Sequence, residues 1–300
     1  MMQPLRSAFG MARSAVGGVT AWAEMAAGDL VHPRRALDGN DIDAWDPDYI
    51  RRVLPLWRAV FCNYFRAEVR GLDNIPASGP ALLVGNHSGG TYIADTFIFA
   101  AEFYARFGPE RRFHQLAHDI AARLPATGLS RWGTVAASHE NAHKAFDKGA
   151  PVLVYPGGDW ETFRPSWHSD RVEFAGRKGF IKLALERGVP IVPVVAIGGQ
   201  ETALFATRGE RVAEATGWAR LTRIKVLPVA FAPPFGATVL DLPGRVPLPA
   251  KITIEVRPPI DLVERFGPDP EPEDVYEEIT GEMQERLHAL QEERTLPVVG

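Results

Sequence analysis

The sequence predicts an α/β fold with a largely parallel or mixed central sheet flanked by helices, and three observations predict it. First, the runs "PALLVGN", "PVLVYPGG" and "VPIVPVVAIGG" are short, rich in branched apolar residues and bounded by Pro and Gly, the composition of buried strands. Second, "ADTFIFAAEFYARFG", "SHENAHKAFDKG" and "GRKGFIKLALERG" carry apolar residues at helical spacing and end in glycine. Third, the two kinds of segment alternate. A helix between strands carries the chain back to start the next strand in the same direction, so alternation builds parallel pairing.

Taken in order, residues 1–29 read as a helix of small residues. Arg6 and Arg13 precede "AVGGVTAWAEMAAG", which loosely imitates a secretory leader but lacks a leucine-rich centre, so an amphipathic helix is expected. No run of about 18 uncharged apolar residues occurs, so no membrane-spanning helix is expected. After the polar link "LDGNDIDAWDPD", a helix opens at Pro47-Asp48 with Ile50, Val53, Leu54, Leu56, Trp57 and Phe61 forming a broad apolar face. Its arginines, Arg51, Arg52, Arg58 and Arg66, have two readings: the solvated face of a core-covering helix, or contacts to anionic headgroups with the aromatics in the bilayer interface. Near the end, "KITIEVRPPI" alternates as a strand does. "EPEDVYEEITGEMQERLHALQEER" then reads as an amphipathic helix, with Val275, Ile279, Met283, Leu287 and Leu290 inward. The proline-rich stretch 228–249 reads as a long connection with room for a short hairpin.

Three hundred residues, 46% hydrophobic and 23% charged, suffice for a substantial core. A net charge of -4 argues against a dedicated nucleic-acid binder. The single cysteine, Cys62, permits no intrachain disulfide or cysteine metal cluster, which fits a reducing compartment.

In open α/β sheets, functional groups collect beyond the carboxyl ends of strands. Here the three best strands end in "GNHSGG", "YPGGDWETFRP" and "AIGGQET", turns expected to converge on one crevice. His87 follows the first strand. An imidazole takes a proton from an alcohol near neutral pH when a carboxylate fixes its tautomer, and Asp95 stands eight positions on. Spacing alone leaves open whether the pair is catalytic or merely caps a helix. Gly157 and Gly158 permit positive φ and close backbone approach to an oxyanion. Glu161 and Arg164, three apart, present opposite charges to a bound headgroup or form a surface ion pair. Arg177 and Lys178 open a helix, a position suited to phosphate. His114 and His118 stand four apart in an expected helix without a third ligand, so no metal is expected. There is no G-x-S-x-G elbow and no phosphate-binding P-loop, and Cys62 reads as a packing residue.

Together these segments resemble the glycerolipid acyltransferase superfamily, whose best-known members acylate glycerol-3-phosphate and 1-acylglycerol-3-phosphate. The resemblance runs from about residue 66 to 260, through "GNHSGGTYIAD", "WGTVAASHENA", "YPGGDWE" and "GVPIVPVVAIGG" in family order. It implies an O-acyltransferase with His87 as general base and Asp95 as its orienting partner, acting without a covalent acyl-enzyme. It implies an acyl-CoA or acyl-carrier-protein thioester as co-substrate, a lipid acceptor, no cofactor, and substrate contacts from Gly157, Gly158, Glu161, Arg164 and Arg177. It further implies a peripheral cytoplasmic enzyme on the inner membrane face, with residues 1–66 as a helical docking segment and 67–300 as the α/β acyltransferase domain. The chain departs from the family pattern: seven residues rather than four separate His87 from Asp95, and Gly157 stands where the third block usually has Glu. These variants look like the branch associated with neutral glycerides, which moves the expected acceptor away from lysophosphatidic acid. A lipid carrier on the same fold, or a thioesterase, are the competing readings.

Overall fold

The computed structural model describes residues 39–296 apart from 123–127, 219, 221–223 and 243, so the helix expected over 1–29 lies outside the described residues. Asp46 starts the first described helix: its carboxylate accepts the Tyr49 N–H at 2.9 Å, and Pro47 fills the first position. This helix, α1 (Pro47–Trp57), continues through one π turn over Arg58–Cys62. Tyr49, Ile50, Trp57, Val60, Phe61 and Phe65 are buried, and Trp57 stacks on Phe61 with ring centroids 4.3 Å apart. That decides between the two readings of the arginine-bearing helix: its aromatics enter the protein core. Arg58 pairs with Glu102 at 2.8 Å and Arg51 with Asp48 and Glu110, while Arg52 and Arg66 are exposed. The aromatics before residue 66 share one core with Leu83, Phe97, Phe99 and Val192.

Seven strands form the main sheet: β1 (Glu68–Arg70), β2 (Leu82–Gly85), β3 (His114–Ala117), β4 (Thr134–Ala136), β5 (Val152–Val154), β6 (Ile191–Ile197) and, late in the chain, β10 (Thr253–Val256). Their order is β1-β10-β6-β2-β5-β3-β4, and every neighbouring pair is parallel except β10 with β6. Between the strands run α2 (Ala94–Phe107), the single turn α3 (Asp119–Ala122), α4 (His139–Asp147), α5 (Gly158–Thr162) and α6 (Gly179–Arg187). Ser138 caps α4 by accepting the Asn141 N–H at 3.1 Å, and Gly188 ends α6 in the left-handed conformation. β7 (Leu204–Thr207), α7 (Glu210–Ala215), β8 (Val229–Ala232) and β9 (Gly236–Val239) follow, then α8 (Leu262–Phe266) and α9 (Pro272–Glu292). β7, β8 and β9 form a separate antiparallel sheet, with β8 and β9 supplying the hairpin anticipated in 228–249.

One sequence expectation is corrected. "FHQLAHD" is strand, not helix, with His118 just past the end of β3. Residues four apart along a strand are separated by about 13 Å rather than one helical turn, so His114 and His118 do not share a ligand site. His114 is instead buried with Nδ1 3.0 Å from the Gly133 carbonyl oxygen, and burial pushes its pKa down to about 4. The strand expected in "KITIEV" is β10, and all four of its residues are buried. Arg286 of α9 pairs with Glu255 at 2.6 Å. The five apolar residues predicted to face inward from α9 are all buried.

Candidate active site

β2, β5 and β6 are adjacent and parallel, so their carboxyl ends open on the same edge of the sheet. The turns that follow them interlock there. Asn86, just past β2, donates through Nδ2 to Ala196 O at 2.9 Å and accepts the Ala196 N–H at 2.8 Å, extending the strand pairing by one side chain. His87 comes next. Its N–H donates to Glu161 Oε2 at 2.9 Å, joining the first turn to the second. The Gly89 N–H donates to Gln200 Oε1 at 3.2 Å, joining the first turn to the third.

The His87 ring lies on Tyr155, the residue that follows β5, with centroids 4.1 Å apart and planes 15° from parallel. A Cβ on Gly85 would stand 2.6 Å from that tyrosine ring, so the strand beneath must be bare at this point. Nδ1 of His87 is buried, has no hydrogen-bond partner, and sits 3.8 Å from Asp95 Oδ2. Asp95 lies in the first turn of α2, and its side chain is 1% exposed. Its Oδ2 accepts the Ser88 N–H at 3.2 Å and the Ser88 hydroxyl at 3.1 Å; Oδ1 accepts the Thr96 N–H at 2.7 Å. The Thr96 hydroxyl reaches the Tyr155 hydroxyl at 3.0 Å, so the stacking ring and the carboxylate belong to one hydrogen-bonded chain. The seven residues between His87 and Asp95 form a loop that folds back onto its own start.

That loop spends its backbone donors internally. Ser88 and His87 donate as above, Gly90 to Thr162 O at 3.0 Å, and Thr91 to Asp241 Oδ2 at 2.7 Å. Every N–H from His87 to Thr91 is thus engaged, which removes the first glycine turn as the source of oxyanion donors. Asp241 is held in turn by Arg245 at 2.6 Å, a pair with side chains 1% and 2% exposed, and Arg245 also donates to Gly89 O at 2.7 Å.

The second turn behaves differently from its sequence reading. Gly158 has φ +50°, but Gly157 has ordinary helical torsions and is required for space. A Cβ there would overlap the Glu161 side chain and stand 2.7 Å from the Glu173 carbonyl oxygen. Glu161 is fully buried, with Oε1 accepting the Glu173 N–H at 2.8 Å. Burial pushes its carboxyl up to about 7, against the pull of the nearby Arg164 guanidinium. Arg164 is 1% exposed and donates to four carbonyl oxygens, of His87, Glu161, His168 and Ser169. Burial lowers its pKa. Neither residue makes the surface pair that three-residue spacing allows; both grip main chain around His87, one at its N–H and the other at its C=O. Arg177, partly exposed, donates to the carbonyls of Pro156 and Gly157 at 2.9 and 2.8 Å and pairs with Asp159 at 3.2 Å.

His87, Asp95, Gly157, Glu161 and Arg164 therefore form one connected cluster, with Gly158 and Arg177 on its rim. Sequence reasoning passed over Tyr155, Ser88, Thr96, Gln200, Asp241 and Arg245. Tyr155 alone had a legible position, at the mouth of a predicted strand; the others depend on which distant loops meet. Cys62 is no part of this site: burial, with Glu102 beside it, pushes its thiol up to about 12.

Residues 66–197 match the family model described as Acyltransferase. Over 289 residues the chain is 29% identical to an uncharacterized protein of Mycobacterium tuberculosis, covering 92% of this chain and 78% of that one. Over 146 residues it is 26% identical to a Bos taurus protein named DGAT1/2-independent enzyme synthesizing storage lipids, covering 48% of this chain and 42% of that one. Among solved structures, the 1-acyl-sn-glycerophosphate acyltransferase PlsC from Thermotoga maritima aligns with a TM-score of 0.45 at 15% identity, covering 79% of this chain and 82% of that one. The family match, with the four ordered sequence blocks and the sheet that brings their turns together, identifies residues 66–197 as an acyltransferase domain.

Proposed function

We propose that this enzyme moves a fatty acyl group from an acyl thioester, on CoA or a carrier protein, to a hydroxyl of a glycerolipid or related lipid acceptor. The observation that carries the mechanism is His87: its Nδ1 is buried, otherwise unpartnered, and 3.8 Å from the buried carboxylate of Asp95. A proton on Nδ1 facing Asp95 leaves Nε2 as the basic nitrogen, and such contacts tighten when substrate binds. Nε2 takes the proton of the acceptor hydroxyl as its oxygen attacks the thioester carbonyl. The tetrahedral intermediate collapses with loss of the thiolate, which recovers that proton from the imidazolium. No covalent acyl-enzyme is involved, in keeping with the unreactive Cys62 thiol. With the donors of the first turn engaged and the Gly158 N–H bonded to the Tyr155 carbonyl oxygen at 3.1 Å, the Gly157 N–H is the proposed oxyanion donor of the second turn, an effect of about 3 kcal/mol per donor.

Glu161 and Arg164 serve as positioning residues that hold the His87 peptide from both sides. Gly157, Gly158 and Arg177 shape the acceptor pocket. Because the Arg164 guanidinium is buried and bonded to carbonyls, it offers nothing to a phosphate, which supports a neutral lipid acceptor. The storage-lipid activity in the name of the bovine relative points the same way.

Among the described residues no helix is long and apolar enough to cross a membrane, so contact with the inner membrane face is proposed as peripheral. The buried aromatics of α1 do not supply it. Support comes from the small sheet, whose inner residue Phe205 packs under the catalytic loop at Gly90 and whose outer face exposes Leu204, Phe231 and Val239.

Thiol release from acyl-CoA, measured with a panel of neutral and phosphorylated acceptors, tests the activity. Sustained release that requires a neutral acceptor is expected. Release without acceptor would indicate a thioesterase, and lipid retention without release a carrier; either outcome overturns the proposal. Sedimentation with phospholipid vesicles tests docking: wild-type chain should sediment and Phe231→Asp should not, and a wild-type chain that stays in the supernatant removes the membrane part.

A further inference from the structure

Away from the catalytic crevice, α4 and α6 lie together on the sheet and bury Ala142, Ala145, Phe146, Phe180, Ile181 and Ala184 in one core. Their backbones are fixed by that packing, so side chains on their outer surfaces stand at set distances. His139 and His143 are one helical turn apart on α4, with ring centroids 6.5 Å apart. Glu186 in the last turn of α6 faces them, its Oε2 lying 3.6 Å from His143 Nε2. One ligand atom from each of the three residues lies within 4.8 Å of the other two.

Around a tetrahedral zinc ion with ligand bonds of ~2.0–2.2 Å, donor atoms stand about 3.3–3.6 Å apart. The His143–Glu186 spacing already meets this, and closing the widest remaining gap asks only for side-chain rotation at partly exposed positions. Gly179 opens α6 beneath His139: a Cβ there would stand 3.5 Å from His139 Nε2, so the ring reaches over the first turn of the neighbouring helix. Lys182 approaches Glu186 at 3.6 Å, but through the other carboxylate oxygen, leaving Oε2 for a metal. Two neutral imidazoles and a carboxylate suit zinc and similar borderline ions rather than calcium or magnesium, which prefer oxygen.

We propose that His139, His143 and Glu186 form a surface site for a divalent transition-metal ion, with water completing the coordination. The ion clamps α4 to α6, the helix that begins directly after Arg177 and Lys178. Acyl transfer does not require it, and the site stands independently of the catalytic reading.

The test is calorimetric titration of the metal-stripped full chain with Zn2+ at pH 7.5, with Co2+ absorbance as the coordination probe. Binding of one equivalent in the micromolar range is expected, with a Co2+ spectrum of low coordination number. His139→Ala and His143→Ala should each weaken binding at least tenfold, and a pH of 5.5 should abolish it because protons compete for imidazole. Basal acyl transfer by the metal-stripped variants should match that of the wild type. No saturable binding below about 100 μM Zn2+ in the wild type, or binding within twofold of wild type in the double His139→Ala, His143→Ala variant, overturns the proposal.

Discussion

The imidazole of His87 lies face to face with the ring of Tyr155, and the Tyr155 hydroxyl is bonded through Thr96 to the carboxylate that His87 faces. One aromatic residue thus sets both the plane of the base and the position of its partner. Stacked aromatic pairs contribute about 0.5–1.5 kcal/mol beyond burial, so Tyr155→Ala should lower kcat/KM roughly tenfold. Tyr155→Phe, which keeps the stack and loses the hydroxyl bond, should stay within a few-fold. Steady-state kinetics of the two variants separates stacking from hydrogen bonding; equal losses would mean that the ring face is not what matters.

The His87–Asp95 relationship carries the chemistry. Loss of a general base commonly costs about 10²–10⁴ in rate, so His87→Ala should fall by that factor with an unchanged unfolding temperature. Asp95→Asn should fall less steeply and should also be less stable, because Asp95 accepts from both Ser88 and Thr96. Undiminished transfer by His87→Ala would remove it from the mechanism.

Glu161 makes a pH-dependent contribution to stability whose sign follows from its raised pKa of about 7. Between the unfolded carboxyl value of about 4.3 and the folded one, the native state holds the extra proton. Its stabilising contribution is therefore complete below the unfolded value and is lost as pH rises through 7. Glu161→Gln removes this titration, so its unfolding free energy should vary less than that of the wild type between pH 4.5 and 7.5. Denaturant titrations across that window measure the difference.

Gly157→Ala and Gly85→Ala test close packing under the site. Each added Cβ meets a neighbour, the Glu161 side chain or the Tyr155 ring. Overpacking of this kind typically costs about 1–3 kcal/mol, and both variants should unfold at lower temperature and lose activity. Calorimetry against Gly281→Ala, whose Cβ would meet nothing within 4 Å and whose φ is not left-handed, gives the baseline for an added methyl without overpacking.

The buried pair of Asp241 and Arg245 ties the small sheet to the catalytic loop through Thr91 and Gly89. Removing one partner of a buried pair leaves an uncompensated charge and costs about 3–5 kcal/mol, so Arg245→Met should be strongly destabilised. The double variant Asp241→Asn, Arg245→Met should recover part of that loss, read as the midpoint of denaturant unfolding.

Local pattern determined a great deal in this protein. The branched runs of β2, β5 and β6, the helical spacing of α2, α4, α6 and α9, and the order of the four blocks were legible because strand and helix burial impose periods of two and 3.6 on neighbouring residues. His87, Asp95 and Glu161 were legible as polar residues, and Gly157 as a glycine, in the segments that follow strand ends. Tertiary structure decided what periodicity does not encode. "FHQLAHD" has helical spacing of its histidines, yet pairing with β5 and β4 makes it a strand, since sheet hydrogen bonds outweigh a short local preference. The aromatics of α1 turned inward because a core was there to receive them. Glu161 and Arg164, three apart and opposite in charge, bind not each other's side chains but the peptide of His87, because burial requires every polar atom to find a partner and the nearest ones were backbone. The residue types at the site come from the sequence; their roles come from which loops the sheet brings together.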